Sequence, residues 1–250
     1  MEGTHPRSRW RRLDPVGRYG LRLTLVGVAL AVIAIPFTTL LFDVLAGGPV
    51  TRFDGQLANA GNDLVAGDGI VTGALRSISW LGRAPVLAVV VVGASLDLLR
   101  RHQRRLAAFL VLTAAGGGLL STAVKLAVDR PRPVVDHPVA TAFGSSFPSG
   151  HALASVVVYG ALLLTFLPLV PRGRRGVAVR AAVLLVVAIG LSRLLLGVHF
   201  LSDVVGGWLL GLAWLLGAVA SFEAWRHDEG ARPVEPLDDG VEPEVAEGRR

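Results

Sequence analysis

Along this chain, long runs of apolar residues alternate with short polar stretches. Leu23–Phe42 holds 20 residues without a charge, enough at ~1.5 Å rise per residue to cross a ~30 Å hydrocarbon core. Pro36 falls inside it, where a kink is expected. The run is longer than the apolar core of a secretory signal, so it reads as a retained span. Further spans are expected at about Ser77–Leu99 (apolar heart Ala84–Leu96), Leu106–Val124, about His151–Val170, about Val177–Leu196 and about Asp203–Phe222. The pattern therefore predicts an all-α, polytopic membrane protein with six transmembrane helices. Gly47–Arg83 is mixed, with Asp54, Asp63 and Asp68 roughly balancing Arg52, Arg76 and Arg83, and Gly55–Gly69 has room for a short interfacial helix. The resulting layout is a basic N-terminal tail over 1–20, a six-span domain over 21–222, and an acidic, disordered tail over 223–250. Gly207 and Gly211, four residues apart, suit close helix packing.

Charge then orients the spans. The arginine-rich segments (Met1–Arg22, Arg100–Arg105, Arg172–Arg180) all fall on one side by span parity, which makes that side the cytoplasm and places both termini there. A hydrophobic share of 52%, a charged share of 18% and a mean hydropathy of +0.56 fit a protein embedded in the cell membrane. The net charge of +6 resides in those short clusters, as membrane loops require, so nucleic-acid binding is not indicated. With no cysteine, disulfides and thiolate metal sites are excluded.

Parity also gathers the polar groups that sit at span ends. Lys125 (the single lysine) ends the third span, His151 opens the fourth, Arg193 lies near the outer end of the fifth, and Asp203 opens the sixth. All four are expected on the extracytoplasmic side, from helices 3 to 6. Ionisable groups at membrane depth are functional candidates by default.

Three stretches carry the chemistry. Ser192–Asp203 reads S-R-L-L-L-G-V-H-F-L-S-D. His199 and Asp203, four apart, share a helical face. A carboxylate on one imidazole nitrogen fixes the tautomer and leaves the other nitrogen nucleophilic, while Arg193 supplies a fork of donors for phosphate oxygens. Taken alone, a loop histidine capped by a carboxylate would look the same. In Lys125–Pro133 (K-L-A-V-D-R-P-R-P), Pro131 and Pro133 should end the helix and let Arg132 curl back toward an anion held by Lys125; a positively flanked span end with a proline stop reads equally well. In Phe147–His151 (F-P-S-G-H), the amides of Ser149, Gly150 and His151 would form a helix N-terminus that attracts an oxyanion. Gly150 would allow close approach, Ser149 would add a hydroxyl, and His151 would be placed to give a proton to a leaving oxygen. Ordinary helix capping accounts for P-S-G but not for the histidine.

The three cations Lys125, Arg132 and Arg193 would repel a divalent ion, so the two histidines are not read as a metal site. His137, Asp136, Asp129 and Arg130 are explained by loop polarity. His5, His102 and His227 fall on the cytoplasmic side, and Trp80, Trp208, Trp214 and Trp225 read as interfacial or packing aromatics.

Together the three motifs, K-x6-R-P (Lys125…Arg132-Pro133), P-S-G-H (Pro148–His151) and S-R-x5-H-x3-D (Ser192-Arg193…His199…Asp203), resemble the complete signature of the type 2 phosphatidic acid phosphatase (PAP2) family, relatives of vanadium haloperoxidases and bacterial acid phosphatases. The resemblance is close over Lys125–Asp203, and the span layout extends it to about residues 20–222. It implies that His199 attacks phosphorus to give a phosphohistidine, with Asp203 orienting its ring. His151 would protonate the leaving lipid oxygen and then activate water, while Lys125, Arg132, Ser149, Gly150 and Arg193 hold the phosphate. No metal or other cofactor is implied. The expected substrate is a lipid phosphate or isoprenoid diphosphate, such as undecaprenyl diphosphate or a phosphatidate-type phospholipid, met at the outer leaflet. A lipid phosphotransferase using the same phosphohistidine, and a non-catalytic lipid-phosphate-binding protein, are the alternatives.

Overall fold

The computed structural model describes residues 18–228, 236 and 240–243. Among them the protein is all-helical: α1 (Arg18–Ala46), α2 (Pro49–Ala66), α3 (Gly69–Trp80), α4 (Ala84–Arg100), α5 (Arg104–Val128), α6 (Gly150–Phe166), α7 (Arg172–Leu195) and α8 (Leu201–Asp228). Five helices are long and apolar enough to cross a membrane, six when α3 and α4 count as one bent span. The protein is multi-pass, as the apolar runs require.

Local chemistry explains where the helices start and stop. Pro36 lies inside α1, and the helix continues through it; the hydroxyls of Thr38 and Thr39 bond back to the carbonyls of Ala34 and Ile35 in that turn. Asp68 caps α3, accepting from the Ile70 and Val71 amides at 2.8 and 3.0 Å. Where a short helix is expected over Gly55–Gly69 stands α2, which begins earlier, at Pro49, and buries one stripe: Asp54, Ala58, Gly61, Asn62 and Val65.

The second expected span, Ser77–Leu99, is not continuous. Its chain breaks over Leu81–Arg83, and α3 and α4 meet at a bend of 45°. Gly82 and Pro85 sit at the break, and the Tyr159 hydroxyl donates to the freed Leu81 carbonyl at 2.9 Å.

α6 is the hub, packed against α4, α5, α7 and α8. Its closest neighbour, α8, approaches through the expected glycines. A Cβ on Gly207 would come within 2.7 Å of the Ser149 carbonyl, and one on Gly211 within 2.9 Å of the Leu153 carbonyl. That crossing presses the N-termini of α6 and α8 together, so that the Ser149 amide donates to the Asp203 carbonyl at 2.9 Å. At the opposite end an apolar cluster that includes Leu98, Leu106, Phe109, Leu164 and Phe222 closes the bundle.

The N-terminal tail and most of the C-terminal tail lie outside the described residues. Within 240–243, however, Val241 is buried in that apolar cluster, and its amide donates to the Leu164 carbonyl at 3.1 Å. This short part of the expected disordered tail is docked because it carries an apolar side chain to a helix end with a free carbonyl.

Candidate active site

The ends of α5, α6, α7 and α8 and the α3–α4 break meet at one end of the bundle. α5 stops at Asp129, whose φ of +43° turns the chain and closes its amide onto the Lys125 carbonyl at 3.0 Å. The chain then returns through the two prolines. Lys125 and Arg132 reach one strip of backbone: Lys125 Nζ donates to the Ser145 carbonyl at 2.7 Å, and Arg132 donates to the carbonyls of Phe143, Gly144 and Ser145 at 3.0, 2.9 and 3.3 Å.

His199 lies in the turn between α7 and α8. Gly197 makes that turn with φ +71°, and a Cβ there would meet Val135 at 2.9 Å. Arg132 Nη1 approaches His199 Nε2 at 3.2 Å, and His199 Nδ1 lies 3.3 Å from Asp203 Oδ2. Because a guanidinium can only donate, Nε2 must accept, which puts the imidazole proton on Nδ1 facing the carboxylate. Burial of the ring lowers its pKa from the ordinary 6.5 to about 4; the Asp203 carboxylate resists this, and Arg132 and Arg193 add to it. At neutral pH the ring is uncharged, with its lone pair on Nε2.

Asp203 is fully enclosed. Oδ2 also accepts from the Phe200 amide at 2.9 Å and from the Ser146 hydroxyl, and Oδ1 accepts from Arg130 at 2.7 Å. Loop polarity does not account for Arg130, which has a structural role. Its side chain is buried, lies 4.2 Å over the Phe200 ring, and bridges Asp203 to Asp54 of α2, the latter at 2.9 Å. Asp54 in turn accepts from the Ser202 amide at 3.1 Å and from its hydroxyl. Every oxygen of the two carboxylates is satisfied, which makes an ionic knot in a dry place tenable. The signal for Asp54 was available: it falls on the same stripe as Ala58, Gly61 and Val65, a position where an unpaired charge cannot stay.

Ser149 does not sit as expected. It is buried, its amide is spent on the Asp203 carbonyl, and its hydroxyl accepts from the Ala152 amide at 3.5 Å as the cap of α6. The close α6–α8 crossing consumes the donor that the helix-start reading had offered to an anion. Gly150 and His151, the first helical residues, keep amides without intrahelical acceptors. A Cβ on Gly150 would lie 3.8 Å from Lys125 Cε, an ordinary contact, so no protein atom requires the glycine.

Arg193 is buried and donates from Nη1 to the Ser79 hydroxyl of α3, while its Nε has no partner. Together with His151 it lines a cavity of about 450 Å³ that also holds Arg76 and Arg83 from either side of the α3–α4 break. His137 and Asp136 are exposed in the loop, and His102 and His227 lie at the opposite end of the bundle.

The fold and this cleft define a multi-pass membrane protein whose helix ends converge on a cationic, histidine-bearing site. Residues 106–227 match the PAP2 superfamily. The chain is 34% identical over 143 residues to phosphatidylglycerophosphatase B of Bacillus subtilis, spanning 55% of this chain and 68% of that protein. It is 33% identical over 117 residues to lipid A 1-phosphatase of Rhizobium johnstonii, covering 43% of each. The crystal structure of a transmembrane PAP2-type phosphatidylglycerolphosphate phosphatase from Bacillus subtilis superposes with a TM-score of 0.66 at 24% identity, over 80% of this chain and 98% of that one. The chain belongs to the PAP2 superfamily, as a multi-pass membrane phosphatase.

Proposed function

We propose that this phosphatase hydrolyses a phosphomonoester or diphosphate of a membrane lipid through a phosphohistidine on His199, without a metal. The observation that carries this reading is the locked tautomer: Asp203 holds the Nδ1 proton, and the Nε2 lone pair faces Arg132. A phosphoryl group entering between them would draw the Arg132 guanidinium onto its own oxygens and free Nε2 to attack.

The Nε2–P bond forms as the bond from phosphorus to the leaving oxygen breaks, and His151 gives that oxygen a proton. Water, deprotonated by His151, then attacks phosphorus, releasing phosphate and restoring Nε2. Lys125, Arg132, Arg193 and the Gly150 amide carry the charge on the phosphoryl oxygens, which is most of what phosphoryl transfer asks of a protein. Ser149 acts as the cap that fixes the start of α6.

Basic turns at the opposite end of the bundle favour a cytoplasmic location for that end and both termini, and hence a site on the extracytoplasmic side. Undecaprenyl diphosphate, a phosphatidate-type lipid and phosphatidylglycerophosphate are the substrates to try. The test is phosphate release from these three, side by side, by protein purified in detergent with EDTA. Release with EDTA present is expected. A requirement for added divalent metal contradicts the mechanism, and label passing to a second lipid instead of water makes the enzyme a phosphotransferase.

A further inference from the structure

The cavity beyond His151 holds more positive charge than one phosphoryl group needs. It is lined by Arg76, Arg83, Arg193 and His151, with no carboxylate among its lining residues, and by neither Lys125, Arg132 nor His199. It adjoins the candidate site through His151 and Arg193, so a leaving group that takes a proton from His151 would have this cavity beside it.

Arg83 reaches this place because the span is broken. Gly82 packs directly on His151: a Cβ there would fall 3.1 Å from His151 Cδ2 and 2.6 Å from Ile189 Cγ2. Tyr159 holds the break through the Leu81 carbonyl. Arg83 has an exposed side chain with no carboxylate partner among the described residues, while Arg76 donates to the Val139 carbonyl across the cavity mouth. An arginine with no carboxylate partner, lining a cavity without a carboxylate on a break packed against His151, suits an anionic ligand.

We propose that Arg83, assisted by Arg76, forms a second anion subsite that takes the phosphate carried by the leaving group of a lipid diphosphate. This rests on the function proposed above. In the reaction it serves, His199 Nε2 attacks the terminal phosphorus and the bridging P–O bond breaks. The electron pair stays on the bridging oxygen of the departing lipid monophosphate, whose charge is met by Arg83 and by the proton from His151. Water then hydrolyses the phosphohistidine. A lipid monophosphate leaves as an alcohol and has no such charge to offer. A phospholipid whose leaving group bears a phosphodiester shares the chemistry.

Two matched pairs test it in detergent: farnesyl diphosphate against farnesyl monophosphate, and phosphatidylglycerophosphate against phosphatidate. In Arg83→Gln the diphosphate-to-monophosphate ratio of kcat/KM should fall at least about tenfold, the scale of one charge-assisted contact. Arg83→Lys should recover most of it, and Arg76→Gln should lower it by a smaller factor. Loss in both pairs supports a subsite for any leaving-group phosphate; loss in the farnesyl pair alone supports one restricted to diphosphates. An unchanged ratio in Arg83→Gln, or a loss confined to the phospholipid pair, overturns the proposal. Should Arg83→Gln fail to fold, Arg83→Met is read in its place, and an unchanged ratio there overturns the proposal. If wild-type protein releases phosphate from none of the four lipids, it is the proposed function that fails.

Discussion

Both ends of the helical bundle are rich in arginine, yet they use it in different ways. At the end away from the site, Arg100, Arg101, Arg104 and Arg105 follow one another around a single turn, and Arg172, Arg174 and Arg175 around another. Most of these side chains are exposed. Arg101 pairs with Asp97 one helical turn away, both about half in solvent, and Arg105 lies 5.3 Å over Trp225. At the site end Lys125, Arg130, Arg132 and Arg193 come from α5, the loop after it and α7, and they are buried or half-buried against backbone carbonyls, carboxylates, hydroxyls and an imidazole. A run of neighbouring arginines makes a surface potential that salt can screen. Convergence from distant segments makes a pocket, at the expense of desolvation that only a matched set of partners can offset.

Substitutions at the two ends put this contrast to the test. The largest effect is expected from His199→Ala, which should lower phosphate release by more than about a thousandfold, whereas Arg172→Gln with Arg174→Gln should leave kcat within a factor of about two. Equal losses at the two ends would remove the distinction. Next comes the buried knot. Asp54→Ala leaves Arg130 with Asp203 alone and takes the acceptor from Arg130 Nη2 and from the Ser202 amide and hydroxyl; it should cost roughly 1–3 kcal/mol of stability, read as a drop in melting temperature in detergent. Arg130→Met should also move the acid limb of activity to higher pH, because Asp203 then acts on His199 without a competing cation; Arg130→Lys should restore part of both.

A third expectation concerns pH. Attack needs neutral imidazole, so activity is lost as protonation of His199 sets in on acidification. With the pKa held near 4 by burial, kcat on a diphosphate lipid should persist well below pH 6.5 and fall only as pH approaches 4. A limb centred at 6.5 would mean that the ring is hydrated. The smallest effect belongs to the exposed pair: Arg101→Gln should change stability by no more than about 0.5 kcal/mol.

Much of this architecture is legible in the sequence, because an apolar run of span length has few other uses and a charge at its end is conspicuous. The motif residues Lys125, Arg132, Gly150, His151, Arg193, His199 and Asp203 could thus be gathered at one end before any coordinates. What escaped depends on side chains meeting across elements. Arg130 looks like any loop arginine until Asp54, 76 residues earlier, is seen to complete it. Ser149 looks like a free donor until the glycines of α8 let the Asp203 carbonyl reach its amide. The break at Gly82 is invisible for another reason: hydropathy averages over a window and cannot tell a straight span from a bent one, so Arg83 reads only as one of the arginines balancing the acids of the mixed stretch before the span.

The central claim is that His199 Nε2 takes the phosphoryl group. The direct measurement is rapid quench in alkali, which preserves phosphohistidine, after mixing the protein with a lipid labelled in its terminal phosphate, followed by mapping of the labelled peptide. The label should appear within milliseconds to seconds on the peptide containing His199 and be absent from His199→Ala. Label on any other residue, or label that persists in His199→Ala, would contradict it.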